Sequence, residues 1–150
     1  MEFYNSHILS VILFTPLAGA LLMLLVPRES ENAHRWLGNI FGFLGFAVSV
    51  PLVWKFDEVA HIPGFLFIER AEWIPSLGAD YRLGIDGISF LLIMLTTLLG
   101  AIAILSSWSA IKSRVKEYYI LLLLLQVGML GVFMSLDFFL FYVFWEVMLV

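Results

Sequence analysis

Apolar residues run almost unbroken over Ile8–Val26, Trp36–Trp54, Ile88–Trp108, Tyr118–Met134 and Phe138–Val150, with polar residues gathered between the runs. A helix needs about 20 such residues to cross a hydrocarbon core, so the first four runs predict full transmembrane spans. The fifth run has about 13 residues, roughly 20 Å at 1.5 Å per residue, which is short of a core near 30 Å. It reads as a truncated fifth span, and the sequence is expected to be the N-terminal part of a longer protein. Ser135-Leu136-Asp137 leaves room for a tight turn and makes the fourth and fifth helices antiparallel neighbours. Pro16 predicts a kink in the first span, with Thr15 beside it to satisfy the freed backbone. Tryptophans bracket the second span as rings seated in the headgroup region do, and Gly38, Gly42 and Gly45 recur at helical spacing, as close helix packing within a bundle requires.

Between Lys55 and Arg82 the pattern changes. Charges, Pro63, Pro75 and Gly78 interrupt any helix, while Gly64-Phe65-Leu66-Phe67-Ile68-Glu69 favours extended structure, so a short hairpin lying on the bundle is expected within this outer loop. The fold class is therefore an all-α polytopic transmembrane bundle. The N-terminus lacks the basic flank and small-residue cleavage site of a signal peptide, so the first helix is expected to be retained.

Composition agrees with a lipid environment: 62% of residues are hydrophobic and 13% charged, with a mean hydropathy of +1.00, against roughly 45–50% and about 25% for soluble chains. Eight Lys and Arg against twelve Asp and Glu, a net charge of −4, provide no basic stripe for nucleic acid. With no cysteine and three scattered histidines, the chain offers no thiolate or iron–sulfur ligands and no spaced metal cluster. Redox chemistry would have to reside in a partner. Arg28 and Arg35 lie in the first loop and Lys112, Arg114 and Lys116 in the third, so the positive-inside rule makes those loops cytoplasmic and sends the N-terminus and the 55–82 loop to the other side.

Glu146, in Phe144-Trp145-Glu146-Val147-Met148, is the one strongly ionisable side chain within a predicted span. It lies about 13 Å along its helix from Asp137, near the bilayer midplane. Acids at that depth cost about 2.5–3.5 kcal/mol on insertion scales and normally face a bundle interior or a wet cavity. A carboxyl held between desolvation, which favours the neutral form, and a nearby cation, which favours the charged one, can exchange a proton. Glu146 is accordingly the expected proton-transfer group. Tyr142, one turn earlier, could meet its carboxyl; Gln126, Thr96 and Thr97 are candidates for a water-lined proton path or for plain interhelical hydrogen bonds. Asp86 and Asp137 are expected as helix N-caps, His7 and His61 as interfacial residues, and His34 as part of a polar loop.

Two segments carry a resemblance. Leu83-Gly84-Ile85-Asp86-Gly87-Ile88-Ser89 entering a span, and Phe138 through Val150 with its Glu146-Val147-Met148-Leu149-Val150 ending, closely resemble the antiporter-like membrane subunits of respiratory complex I, of the type called subunit M in bacteria and subunit 4 in mitochondria. The resemblance implies a larger inverted-repeat fold with broken helices at the midplane. It implies a proton channel in which Glu146 pairs with a lysine on a later helix, a lysine that no predicted span of this chain supplies. It further implies that NADH, FMN, iron–sulfur clusters and quinone belong to partner subunits, that the partners are the other membrane and peripheral subunits together with the bilayer, and that the membrane is a bacterial plasma membrane or, alternatively, an organelle inner membrane or thylakoid. Rival readings are a subunit of a related multisubunit cation/proton antiporter or membrane-bound hydrogenase, and a purely structural membrane subunit.

Overall fold

The computed structural model describes residues 2–150. The short α1 (Glu2–Ser6) leads into α2 (Ile8–Leu24), followed by α3 (Glu31–Ser49), α4 (Pro51–Val59), β1 (Leu66–Ile74), β2 (Ala79–Ile85), α5 (Gly87–Ser106), α6 (Val115–Met134) and α7 (Phe138–Leu149). Three helical stretches are long and apolar enough to cross a membrane: Glu31–Val59, Gly87–Ser106 and Val115–Met134. The apolar α2 and α7 are shorter. All five predicted runs are helical, but the second is longer than expected at both ends. Glu31 to Arg35, read from their polarity as loop, form the first turns of α3, and the helical path continues through Val50 and Pro51 to Val59. Pro51 has no N–H to carry the ladder across, so it stands at the first position of α4 and divides it from α3, while Val50 before it keeps right-handed helical dihedrals.

Pro16 is buried within an unbroken α2, and the Thr15 hydroxyl donates to the Val11 carbonyl at 2.6 Å. The core runs along α2 and α6, with Ile8, Leu9, Ile12 and Leu13 meeting Val127, Leu130 and Met134, while Ala20 and Met23 meet Val115, Tyr119 and Leu123 towards the other end.

The expected hairpin exists and is larger than its signal. β1 and β2 pair antiparallel with a bulge between Leu66 and Glu69, and a 3-10 turn over Pro75–Leu77 closes on Gly78, whose φ of 70° suits a residue without a Cβ. Leu83 to Ile85, the lead-in to the third span, therefore form strand rather than loop. The hairpin packs on the end of the bundle that holds the start of α2 and the α6–α7 turn: Leu136 N–H donates to the Arg82 carbonyl, and Ser135 bridges Leu83. The loops carrying Arg28, Lys112 and Arg114 lie at the opposite end, where Lys116 Nζ donates to the Val26 carbonyl at 2.9 Å and Arg28 pairs with Glu117 at 2.6 Å.

Candidate functional site

Glu146 sits on α7, a helix started by Asp137. The Asp137 carboxylate accepts from the backbone N–H groups of Phe139 and Leu140, as expected of an N-cap, and also from that of Asp80 in the hairpin at 3.1 Å. These bonds hold its carboxyl below the usual carboxylate range, the Asp80 N–H contributing most. Asp86 caps α5 in the same way through Ser89 N–H and is likewise lowered.

The inward face of α7 is set by Leu140 and Phe144, both buried. Phe144 lies over Gly131, and the backbone of Met148 lies over Gly128. With that face fixed against α6, Glu146 turns outwards and is exposed, as are Tyr142 and Trp145. The expectation that Glu146 faces the interior is thus not met by these residues: two positions past Phe144 is about 200° around the helix. Tyr142 lies one turn before Glu146 on the same exposed face of α7. Among the described residues Glu146 forms no ion pair.

The other candidates lie on the far side of α6. Thr97, fully buried, shares a 3.0 Å hydrogen bond with Ser49 and donates to the Met94 carbonyl; Thr96 donates to the Leu92 carbonyl. Gln126, 2% exposed, projects between α3 and α5, where its amide lies against Gly45 and Gly100. Neither its Nε2 nor its Oε1 has a hydrogen-bond partner. The structure therefore joins Thr97 to Ser49, and sets α6 between that pair and the exposed face of α7 that carries Tyr142 and Glu146.

Three polar features escaped the sequence. His34 is fully buried on α3, not part of a loop, with Nε2 bonded to the Pro27 carbonyl. It shares a helical face with Gly38, Gly42 and Gly45, a spacing that starting the helix at Glu31 would have exposed. Arg35 and Lys55, assigned to loops, belong to the 29-residue helical stretch. Glu69, buried in β1, accepts from Leu9 N–H at 2.8 Å, Ser10 N–H at 3.2 Å and Ser10 Oγ at 2.6 Å, closing the start of α2, where His7 makes no side-chain cap. Tyr81 shares a 2.6 Å bond with Ser10, and burial holds its phenol above the ordinary range, the Ser10 bond opposing and the Glu69 carboxylate adding to the shift.

Residues 59–135 match the family described as NADH-ubiquinone oxidoreductase chain 4, amino terminus. The chain is 42% identical over 145 residues to an NADH-quinone oxidoreductase subunit M from Rhodobacter capsulatus, covering 94% of this chain and 27% of that protein. It is 37% identical over 142 residues to NADH-ubiquinone oxidoreductase chain 4 of Arabidopsis thaliana, and 36% identical over 142 residues to the chloroplast NAD(P)H-quinone oxidoreductase chain 4 of Chara vulgaris, each over 95% of this chain and 28% of the relative. The chain thus spans little more than a quarter of the length of these relatives. A solved archaeal respiratory membrane complex, the membrane-bound sulfane sulfur reductase, contains a chain that superimposes with a TM-score of 0.63 at 23% identity, over 92% of this chain and 21% of that one, a likeness of fold.

Proposed function

The chain belongs to the NADH-ubiquinone oxidoreductase chain 4 family, and from that premise we propose that it forms part of a membrane subunit of a proton-translocating NADH–quinone oxidoreductase, with Glu146 as a proton-transfer group of its channel. The observation that carries the reading is the placement of Glu146: an acid on an apolar helix, turned away from the core of these residues and without an ion-pair partner among them. Such a group calls for a cation from elsewhere in the assembled protein, because an uncompensated charge in low dielectric is costly. A lysine approaching or leaving the carboxyl would change its proton affinity, an electrostatic gate operated by neighbouring subunits. Tyr142, one turn earlier on the same face, is placed to orient it or a bridging water.

Under this reading NADH, FMN, iron–sulfur clusters and quinone are handled by partner subunits, and the chain lies in a bacterial plasma membrane or the corresponding organelle membrane. The test is Glu146→Gln in the full-length subunit within its complex. Assembly is expected to persist while proton pumping is strongly reduced; normal pumping by an assembled variant would overturn the assignment. A structural subunit predicts loss of assembly or no effect, and sodium-dependent proton exchange without NADH oxidation would assign the chain to an antiporter instead.

A further inference from the structure

All seven buried side-chain polar atoms without a hydrogen-bond partner among the described residues lie on two helices: His34 Nδ1, Arg35 Nε and Asn39 Oδ1 on α3, and Glu117 Oε2, Tyr119 Oη and both amide atoms of Gln126 on α6. Native interiors rarely leave such groups unsatisfied, and buried water normally supplies the missing bonds. These seven are also organised. α3 and α6 both start at the basic end of the bundle and run parallel: Tyr119 lies over Gly38 and Gln126 over Gly45, seven residues further along both helices. Two glycines thus leave space for two polar side chains about 10 Å apart.

We propose that the α3–α6 seam binds a file of water molecules that opens at the basic end and reaches Gln126 in the middle of the bundle, giving protons access to the core by a route that does not include Glu146. The inlet is formed by His34, Arg35, Asn39 and Tyr119, whose open valences offer donors and acceptors; a buried water needs two to four such partners. Burial excludes direct solvation: His34 and Tyr119 are fully buried, and Asn39 is 6% exposed. Between inlet and centre the Ile104 side chain lies against Gly42, an apolar constriction. Beyond it Gln126 presents both amide atoms, and the Ser49–Thr97 hydroxyl pair lies one turn further along α3. The water itself is independent of the proposed function; its protonic role rests on it.

X-ray radiolytic footprinting of the assembled complex tests the file, because radicals formed from bound water oxidise the side chains beside it. Tyr119 is expected to be oxidised despite its burial, above the fully buried Met134, which packs with Ile8 and Leu130 at the opposite end of the bundle. In the Asn39→Leu/Gln126→Leu double variant the rate should fall about tenfold, equivalent to about 1.4 kcal/mol of water binding. A native Tyr119 that resists oxidation as Met134 does overturns the file, whatever the variant does. In the same double variant, with Glu146 intact, protons pumped per NADH oxidised are expected to fall; an unchanged ratio alongside lost Tyr119 oxidation overturns the protonic role. Since the labelling involves neither Glu146 nor NADH, its failure is distinct from failure of the Glu146 assignment.

Discussion

A helix starting at a membrane surface has four N–H groups without intrahelical partners, and α2 answers two of them with a carboxylate sixty residues away in sequence. Glu69→Ala removes three hydrogen bonds at once, and the buried N–H of Leu9 and the part-buried donors of Ser10 lose that acceptor. The expected loss is about 2 kcal/mol, read as faster hydrogen exchange at the Leu9 and Ser10 amides in the assembled protein; Glu69→Gln, which keeps an acceptor oxygen, should fall between. Unchanged exchange in Glu69→Ala would show that the hairpin does not hold this helix end. Asp137 makes the parallel connection at the α6–α7 turn, and because its carboxyl is held below its ordinary value, the sign of its pH dependence follows. The stabilisation is complete above the unfolded carboxylate value of about 3.9 and is lost as pH falls through the lower folded one. Protection of the Asp80 amide, relative to an Asp137→Asn variant, should therefore disappear in acid and stay constant from pH 5 upwards. The two caps Asp86 and Asp137 were legible in the sequence because a cap is a local bond, whereas Glu69 acts across the chain, and a buried acid in an amphipathic strand looks like any other loop charge.

At the scale of elements, hydropathy marked the five apolar helical runs because lipid selects such runs, but not the short α1, and it misjudged ends because a helix does not stop where its residues turn polar. Glu31, Asn32 and Arg35 continue the helical hydrogen-bond ladder above the apolar stretch, which turned His34 from an expected loop residue into a buried one. The second strand of the expected hairpin runs past the end of that loop for the converse reason, since Leu83-Gly84-Ile85 is apolar and adjoins a span. The glycine spacing in α3 did announce close packing, now seen against Tyr119, Ile104 and Gln126. The outward turn of Glu146 was not legible, because it depends on which face of α7 docks, and that is decided by Gly128 and Gly131 on α6. Gly131→Ala would drive a methyl into the Phe144 ring, and overpacking of this kind costs about 1–3 kcal/mol. A lower melting temperature of the assembled complex is expected, with recovery in Gly131→Ala/Phe144→Leu; an unchanged melt in the single variant would mean that α7 is free to shift, and with it the direction in which Glu146 points.

For the molecule as a whole, the structure sorts charge by end. Arg28, Lys112, Arg114 and Lys116 gather where α2 ends and α6 begins, and the Lys116 ammonium and Arg28–Glu117 pair tie those loops together. At the other end the hairpin, the start of α2 and the α6–α7 turn are joined by Glu69 and Asp137. Moving the cationic end across a membrane would be the costlier topology, so it is expected on the cytoplasmic side and the hairpin on the opposite one. The chain has no cysteine, which permits a direct test in the assembled subunit of intact cells. Ser113→Cys, between α5 and α6, should resist a membrane-impermeant maleimide until the membrane is opened, while Glu72→Cys, exposed on β1, should react at once. Equal reactivity would place both ends on one side and break the parallel run of α3 and α6. The reverse pattern would keep the bundle and invert it, so that the water inlet at His34 would open away from the cytoplasm and could not serve proton uptake from it.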